Sequence, residues 1–292
     1  MLHAHAEVQG PSLATALTLL IAALVYLRGW RAIRSIDANL GAWHACSFLL
    51  GLCLIWIALA SPLATLDHEW LTVHMIQHLL LMTMAPPLIW LGAPAAPLLN
   101  GLPRFVTPAI RGVARTAAAQ TIGRLFSHLA VCWSAAAAAL VIWHVPAVFT
   151  VAMQSAAWHV TERASFLATG LLFWRPVVQS GSSAAAEPQW SIVLYLFLAT
   201  LPCDLLAAFL VFSERVAYPI YFTTANHPGM SVLGDQECAA ALMWTCVTIV
   251  YLVAGTVLTT KWLSRPNHRH TTLVTRPAGD APSAQDGRTE AA

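Results

Sequence analysis

The sequence predicts an all-α fold, an integral membrane bundle of seven transmembrane helices with its N-terminus outside and its C-terminus cytoplasmic. Three observations predict it. The chain of 292 residues is 58% hydrophobic and only 10% charged, whereas a soluble domain carries about 25% charged residues. Seven apolar runs are long enough to span, since about 20 helical residues cross the hydrocarbon. When those runs alternate across a bilayer, thirteen of the fifteen Lys and Arg residues share one side. That asymmetry is the positive-inside bias of cytoplasmic loops.

The spans are placed near 12–29, 42–61, 70–92, 127–147, 157–178, 189–212 and 237–262. A short outer segment, 1–11, precedes the first. It lacks the basic n-region of a cleaved signal peptide, so the first span reads as an uncleaved anchor. Arg28, Arg31 and Arg34 follow that span, and Arg104, Arg111, Arg115 and Arg124 fill the loop after the third with no acid among them. The fourth span is Ala-rich from Ala135 to Ala139, and Arg175 ends the fifth. The sixth holds Asp204 two residues after Pro202. The seventh is entered through Asp235, Gln236 and Glu237 and followed by Lys261, Arg265, Arg269, Arg276 and Arg288.

The transmembrane domain is thus 12–262, and 263–292, rich in Thr, Ser, Pro, Asp and Arg, reads as a disordered cytoplasmic tail. Nine tryptophans, among them Trp43, Trp70, Trp143, Trp158 and Trp190, fall near span ends as an interfacial belt. The six cysteines show no CxxC spacing and read as packing residues, with Cys238 alone placed for a thiol role. A net charge of +2 implies no nucleic-acid partner; the bilayer is the partner that composition implies.

Topology turns the histidines into a pattern. His74 and His78, in HMIQH, lie four apart on one helix face near the start of span three. His144 ends span four and His159 begins span five, so four imidazoles from three consecutive helices share the outer depth. Helices joined by short connections are usually neighbours, which allows the four to converge. Glu162 follows His159 by three residues on the same face, a spacing that helical bundles use for metals. Asp235 marks the outer entrance of span seven. Taken singly, each has a structural reading too: His144 bonding a backbone carbonyl near Pro146, His159 as an N-cap or headgroup contact, Glu162 pairing with Arg163. His68, in Asp67-His68-Glu69, reads as a solvated loop residue, and methionines such as Met75 as packing, with Met153 and Met230 better placed to act as ligands. Polar groups at membrane depth are costly and mark sites by default. Imidazole with carboxylate or thioether suits copper first, then zinc, and paired histidines also serve haem. No GxSxG, HExxH or phosphate-binding glycine loop is present.

The segment His74-Met75-Ile76-Gln77-His78, with Ala85-Pro86-Pro87 and Leu91-Gly92-x-Pro94 behind it, resembles the CtaG family of cytochrome c oxidase assembly factors. Trp143-His144-x-Pro146, His159-x-x-Glu162 with Phe173-Trp174-x-Pro176, and Asp235-Gln236 with Met243-Trp244 extend the resemblance in order across roughly 55–260. The resemblance implies a bacterial plasma-membrane protein that is no enzyme. It would bind copper transiently and help its delivery to a haem-copper oxidase subunit, with a periplasmic copper chaperone as a further partner. His74, His78, His144, His159, Glu162 and Asp235 carry over as metal-site candidates. The family pattern often continues His-x-x-Glu-His, and here Arg163 stands in the last place, where an always-cationic guanidinium cannot ligate. Arg163 is expected to pair with Glu162 or Asp235, to bind a headgroup, or to be compensated by Asp204. The alternatives are a haem-binding redox protein using paired histidines, and a copper translocator.

Overall fold

In the computed structural model, the described residues are 4–34, 40–179, 189–224 and 229–264, and they form helices and their connections. The expected tail from 265 onward lies outside them. Helices α1 (Ala4–Arg34) and α2 (Ala42–Ala60) are followed by the single turn α3 (Leu63–Leu66). Next come α4 (Leu71–His78), a π-helical segment (Leu79–Met84) and α5 (Ala85–Leu91), one broken rod from which α6 (Ala95–Gly101) bends by 72°. The Arg-rich connection holds α7 (Thr107–Ala114) and α8 (Ala117–Leu125). It turns 72° into α9 (Leu129–Trp143). The chain then runs through α10 (Pro146–Gln154), α11 (Ala156–Gln179), α12 (Gln189–Phe212), α13 (Tyr221–Thr224) and α14 (Val232–Leu263).

Each expected span coincides with one of these helices or with the broken rod. Among the described residues four helices are long and apolar enough to cross a membrane, or six if each bent pair is one span. The segment expected as span five, α11, is not one of the six; it carries His159, Glu162, Arg163 and Arg175. Large apolar side chains such as Leu20, Leu24, Phe197, Leu205, Phe209 and Leu252 lie exposed on the long helices, as lipid-facing surfaces require. The chain is a multi-pass membrane protein.

Two local features shape the rod that carries His74 and His78. Pro86 and Pro87 have no N–H to give to the carbonyls of Met82 and Thr83, and the backbone widens into the π-helical turn just before them. Such wide turns in helices are frequent at functional sites. The indole of Trp174 donates to the freed Met82 carbonyl at 3.2 Å. Gly170 of α11 makes the close approach feasible, because a Cβ there would lie 2.8 Å from the same Met82 oxygen. Without a hydrophobic force between helices in lipid, small residues at contacts are what let backbones pack. α11 is thereby locked against the rod, and α4 is packed on α14.

Candidate metal centre

Asp235 sets the start of α4. Its carboxylate accepts from the backbone N–H of Leu71 at 2.7 Å and of Thr72 at 3.2 Å, and from the Thr72 hydroxyl at 2.6 Å. These N–H groups are orphan donors of a helix N-terminus, and the residue preceding α4, Trp70, makes no side-chain cap. A carboxylate from α14 supplies the cap from across the bundle. The next residue, Gln236, accepts from Ala217 N and donates to the carbonyls of Leu210 and Arg215, pinning the connection after α12. Asp235 thus caps α4 with both oxygens and is in neither of the groups whose ligand atoms lie together.

One turn further on, His74 and His78 project toward Glu162. The Nε2 atoms of His74 and His78 lie 3.4 and 3.5 Å from Glu162 Oε1, and the two rings are 4.2 Å apart. One ligand atom from each of the three residues falls within 4.8 Å of the others, and all three residues are buried. Neither nitrogen of either ring nor either oxygen of Glu162 has a hydrogen bond. An unsatisfied buried polar atom costs about 1–3 kcal/mol, a cost that a bound ion would relieve. Two imidazoles and a carboxylate around one point can hold a first-row transition-metal ion; the donor set fits.

A second group lies beside it. Asp67 Oδ2 pairs with the guanidinium of Arg163 and lies 3.1 Å from His159 Nε2, while Asp67 Oδ1 faces His68 Nε2 at 4.0 Å. Asp67, His68 and His159 form another set of ligand atoms within 4.8 Å of one another. Burial pushes the Asp67 carboxyl up, but the His159 hydrogen bond, Arg163 and the other imidazoles outweigh it and hold the group well below the usual carboxylate range. His159 joins the two groups, since its Nε2 is also 3.9 Å from Glu162 Oε2. The Tyr221 hydroxyl donates to the Asp67 carbonyl at 2.9 Å and fixes the connection from α13.

The four histidines therefore do not surround one point. His74 and His78 share Glu162, His159 bridges to Asp67, and His144 stands at the edge, its ring 5.7 Å from that of His78. His144 Nδ1 bonds the Leu140 carbonyl at 2.7 Å and its Nε2 meets Met75 Sδ at 3.4 Å. Met75 is fully buried in this contact, while Met153 packs in the core and Met230 lies exposed.

Two sequence expectations change. Arg163 pairs with the wholly buried Asp67 rather than with Glu162 or Asp235, and Asp204 lines a groove with Thr200, Thr248 and Thr256 with no ion pair among the described residues. The signal for Asp67 was present: an Arg near membrane depth needs a carboxylate partner, and Asp67 lies in the short connection at the same end. All six cysteines are free thiols.

Fold and site together define a multi-pass helical membrane protein with imidazole–carboxylate clusters buried at one end of its bundle. The chain belongs to the cytochrome c oxidase caa3 assembly factor (Caa3_CtaG) family, which it matches over residues 24–265. Membership makes it an assembly factor linked to a haem-copper oxidase rather than an enzyme with turnover. Neither the curated proteins nor the solved structures include a match to the chain.

Proposed function

We propose that the chain binds a copper ion transiently at His74, His78 and Glu162 and helps its delivery to a haem-copper oxidase subunit. The observation that carries this reading is that three buried residues each bring one ligand atom within 4.8 Å of the others, while none of their side-chain nitrogens and oxygens has a hydrogen bond. The ion is cargo. Three ligands with no closed fourth position suit an ion that must leave again, since structural sites are usually closed with four. Nitrogen and oxygen donors generally hold divalent copper more tightly than zinc, and the Met75 thioether lies beside the group, 3.4 Å from His144 Nε2. In this reading His144 is a soft neighbour, His159 a flanking ligand and Asp235 the anchor of α4. The clusters face the outer side: α11 completes seven spans, the N-terminus lies outside and the C-terminal tail of residues 263–292 in the cytoplasm. The copper comes from a periplasmic chaperone.

Titration of the purified protein in detergent with Cu(I), against a competing chelator, tests the reading. Wild type binds about one ion at the cluster, and Glu162→Gln weakens binding about tenfold or more. Wild-type copper affinity in the His74→Ala, His78→Ala double variant would overturn it. A Soret band in the protein as isolated would replace copper by haem.

A further inference from the structure

Resting on that reading, we infer that Asp67, His68 and His159 form a separate entrance station, which takes the copper ion at the outer surface and passes it, with no change of oxidation state, through His159 to the buried cluster. Its ligand atoms lie within 4.8 Å of one another, like those of the buried cluster, but its exposure differs. The His68 side chain is 46% exposed, whereas His74, His78, His159, Glu162 and Asp67 are all buried. An ion arriving from water thus meets His68 before any other member of either group.

The atoms in between are arranged for transfer. Asp67 Oδ2 is committed to Arg163 and His159, but Asp67 Oδ1 is buried, has no hydrogen bond and faces His68. That orphan oxygen is a ligand without a partner. The His159 ring is 5.1 Å from that of His68 and 5.9 Å from that of His74, and its Nε2 lies between Asp67 Oδ2 and Glu162 Oε2. A small ring rotation exchanges one carboxylate neighbourhood for the other. Arg163 has a defined part here. Its fixed charge holds Asp67 in place and repels a resident cation at close range, so the station binds weakly enough to release.

The test uses the full-length protein in detergent with Cu²⁺ as the probe, followed by electron paramagnetic resonance and by rapid-mixing fluorescence. The His74→Ala, His78→Ala variant is expected to retain one weakly held Cu²⁺, and adding His68→Ala to weaken that binding about tenfold or more. His68→Ala alone is expected to slow loading of the buried cluster by a similar factor while leaving its final occupancy intact. His68→Gln, which keeps size and polarity at an exposed position, repeats the measurement without a packing change. If the double variant binds no Cu²⁺, or if both His68 variants load at the wild-type rate, the entrance station is overturned while the buried site stands. If wild type and the double variant bind alike and both lose the ion with His68→Ala, the buried site is wrong and the entrance station survives. A wild type that binds no Cu²⁺ overturns the entrance station, and the Cu(I) titration then decides the buried site separately.

Discussion

The two ends of α11 meet opposite surroundings. Its first turns bring His159, Glu162 and Arg163 into a buried set of imidazoles and carboxylates. Its last turns bring Phe173 and Trp174 into an aromatic core with Tyr195 and Tyr251, with Phe173 stacked 4.7 Å from Tyr195 and 5.5 Å from Tyr251. Between the two ends the buried residues of α11 are Phe166 and Gly170, which offer no polar side chain. α14 repeats the contrast, from Asp235 and Gln236 at its start to Met243, Val247 and Tyr251 further on. The difference teaches that one end gathers groups that could hold an ion and the other packs for rigidity. An ion that enters and leaves by the same face needs only the first, and a translocator would need polar groups through both.

Mutations at the two ends should separate stability from copper binding. Phe173→Ala should have the largest effect on stability, about 3–5 kcal/mol for emptying a packed aromatic site. It should leave copper stoichiometry unchanged in the protein that remains folded, as thermal denaturation and metal analysis of the same sample will show. A loss of copper with the packing would mean that the ends are not separable.

Asp235→Ala strikes the junction between fold and site. It removes the cap from α4 and should cost about 1–2 kcal/mol. It should also weaken copper binding, because the turn carrying His74 is freed. Asp235→Asn, whose amide oxygen still accepts from Leu71 and Thr72, should recover part of both. Equal loss of copper in the two variants, with stability retained, would instead make Asp235 a ligand. Tyr195→Phe is the mildest change. It deletes a 3.0 Å bond to the Phe173 carbonyl, a loss of about 0.5–1.5 kcal/mol with no change in copper affinity.

Much of this was legible in the sequence, for identifiable reasons. Hydropathy placed the long apolar helices because lipid demands length and apolarity, whereas α11, with its His, Glu and Arg residues, falls short of that test. Helical spacing put His74 over His78 and His159 over Glu162, since an i,i+3 or i,i+4 relation is local. What spacing does not carry is which atom a side chain chooses across the bundle. Asp67 was not among the sequence candidates, because its partners are Arg163, ninety-six positions away, and Tyr221 beyond that. Asp235 looked like a ligand because its depth is right, yet the orphan N–H groups of α4 claim it first. Met75 looked like packing, and only the fold sets its sulfur on His144. The π-helical turn before Pro86 and Pro87, and the Trp174 indole that bonds its freed carbonyl, were visible only in three dimensions.

X-ray absorption at the copper edge of the wild-type protein loaded with one equivalent tests the central claim most directly. Two imidazole rings and one oxygen near 2 Å, the ordinary range for such first-row metal bonds, are the predicted ligands, with both ring signals lost in the His74→Ala, His78→Ala variant. A spectrum that is the same in wild type and double variant would contradict the account.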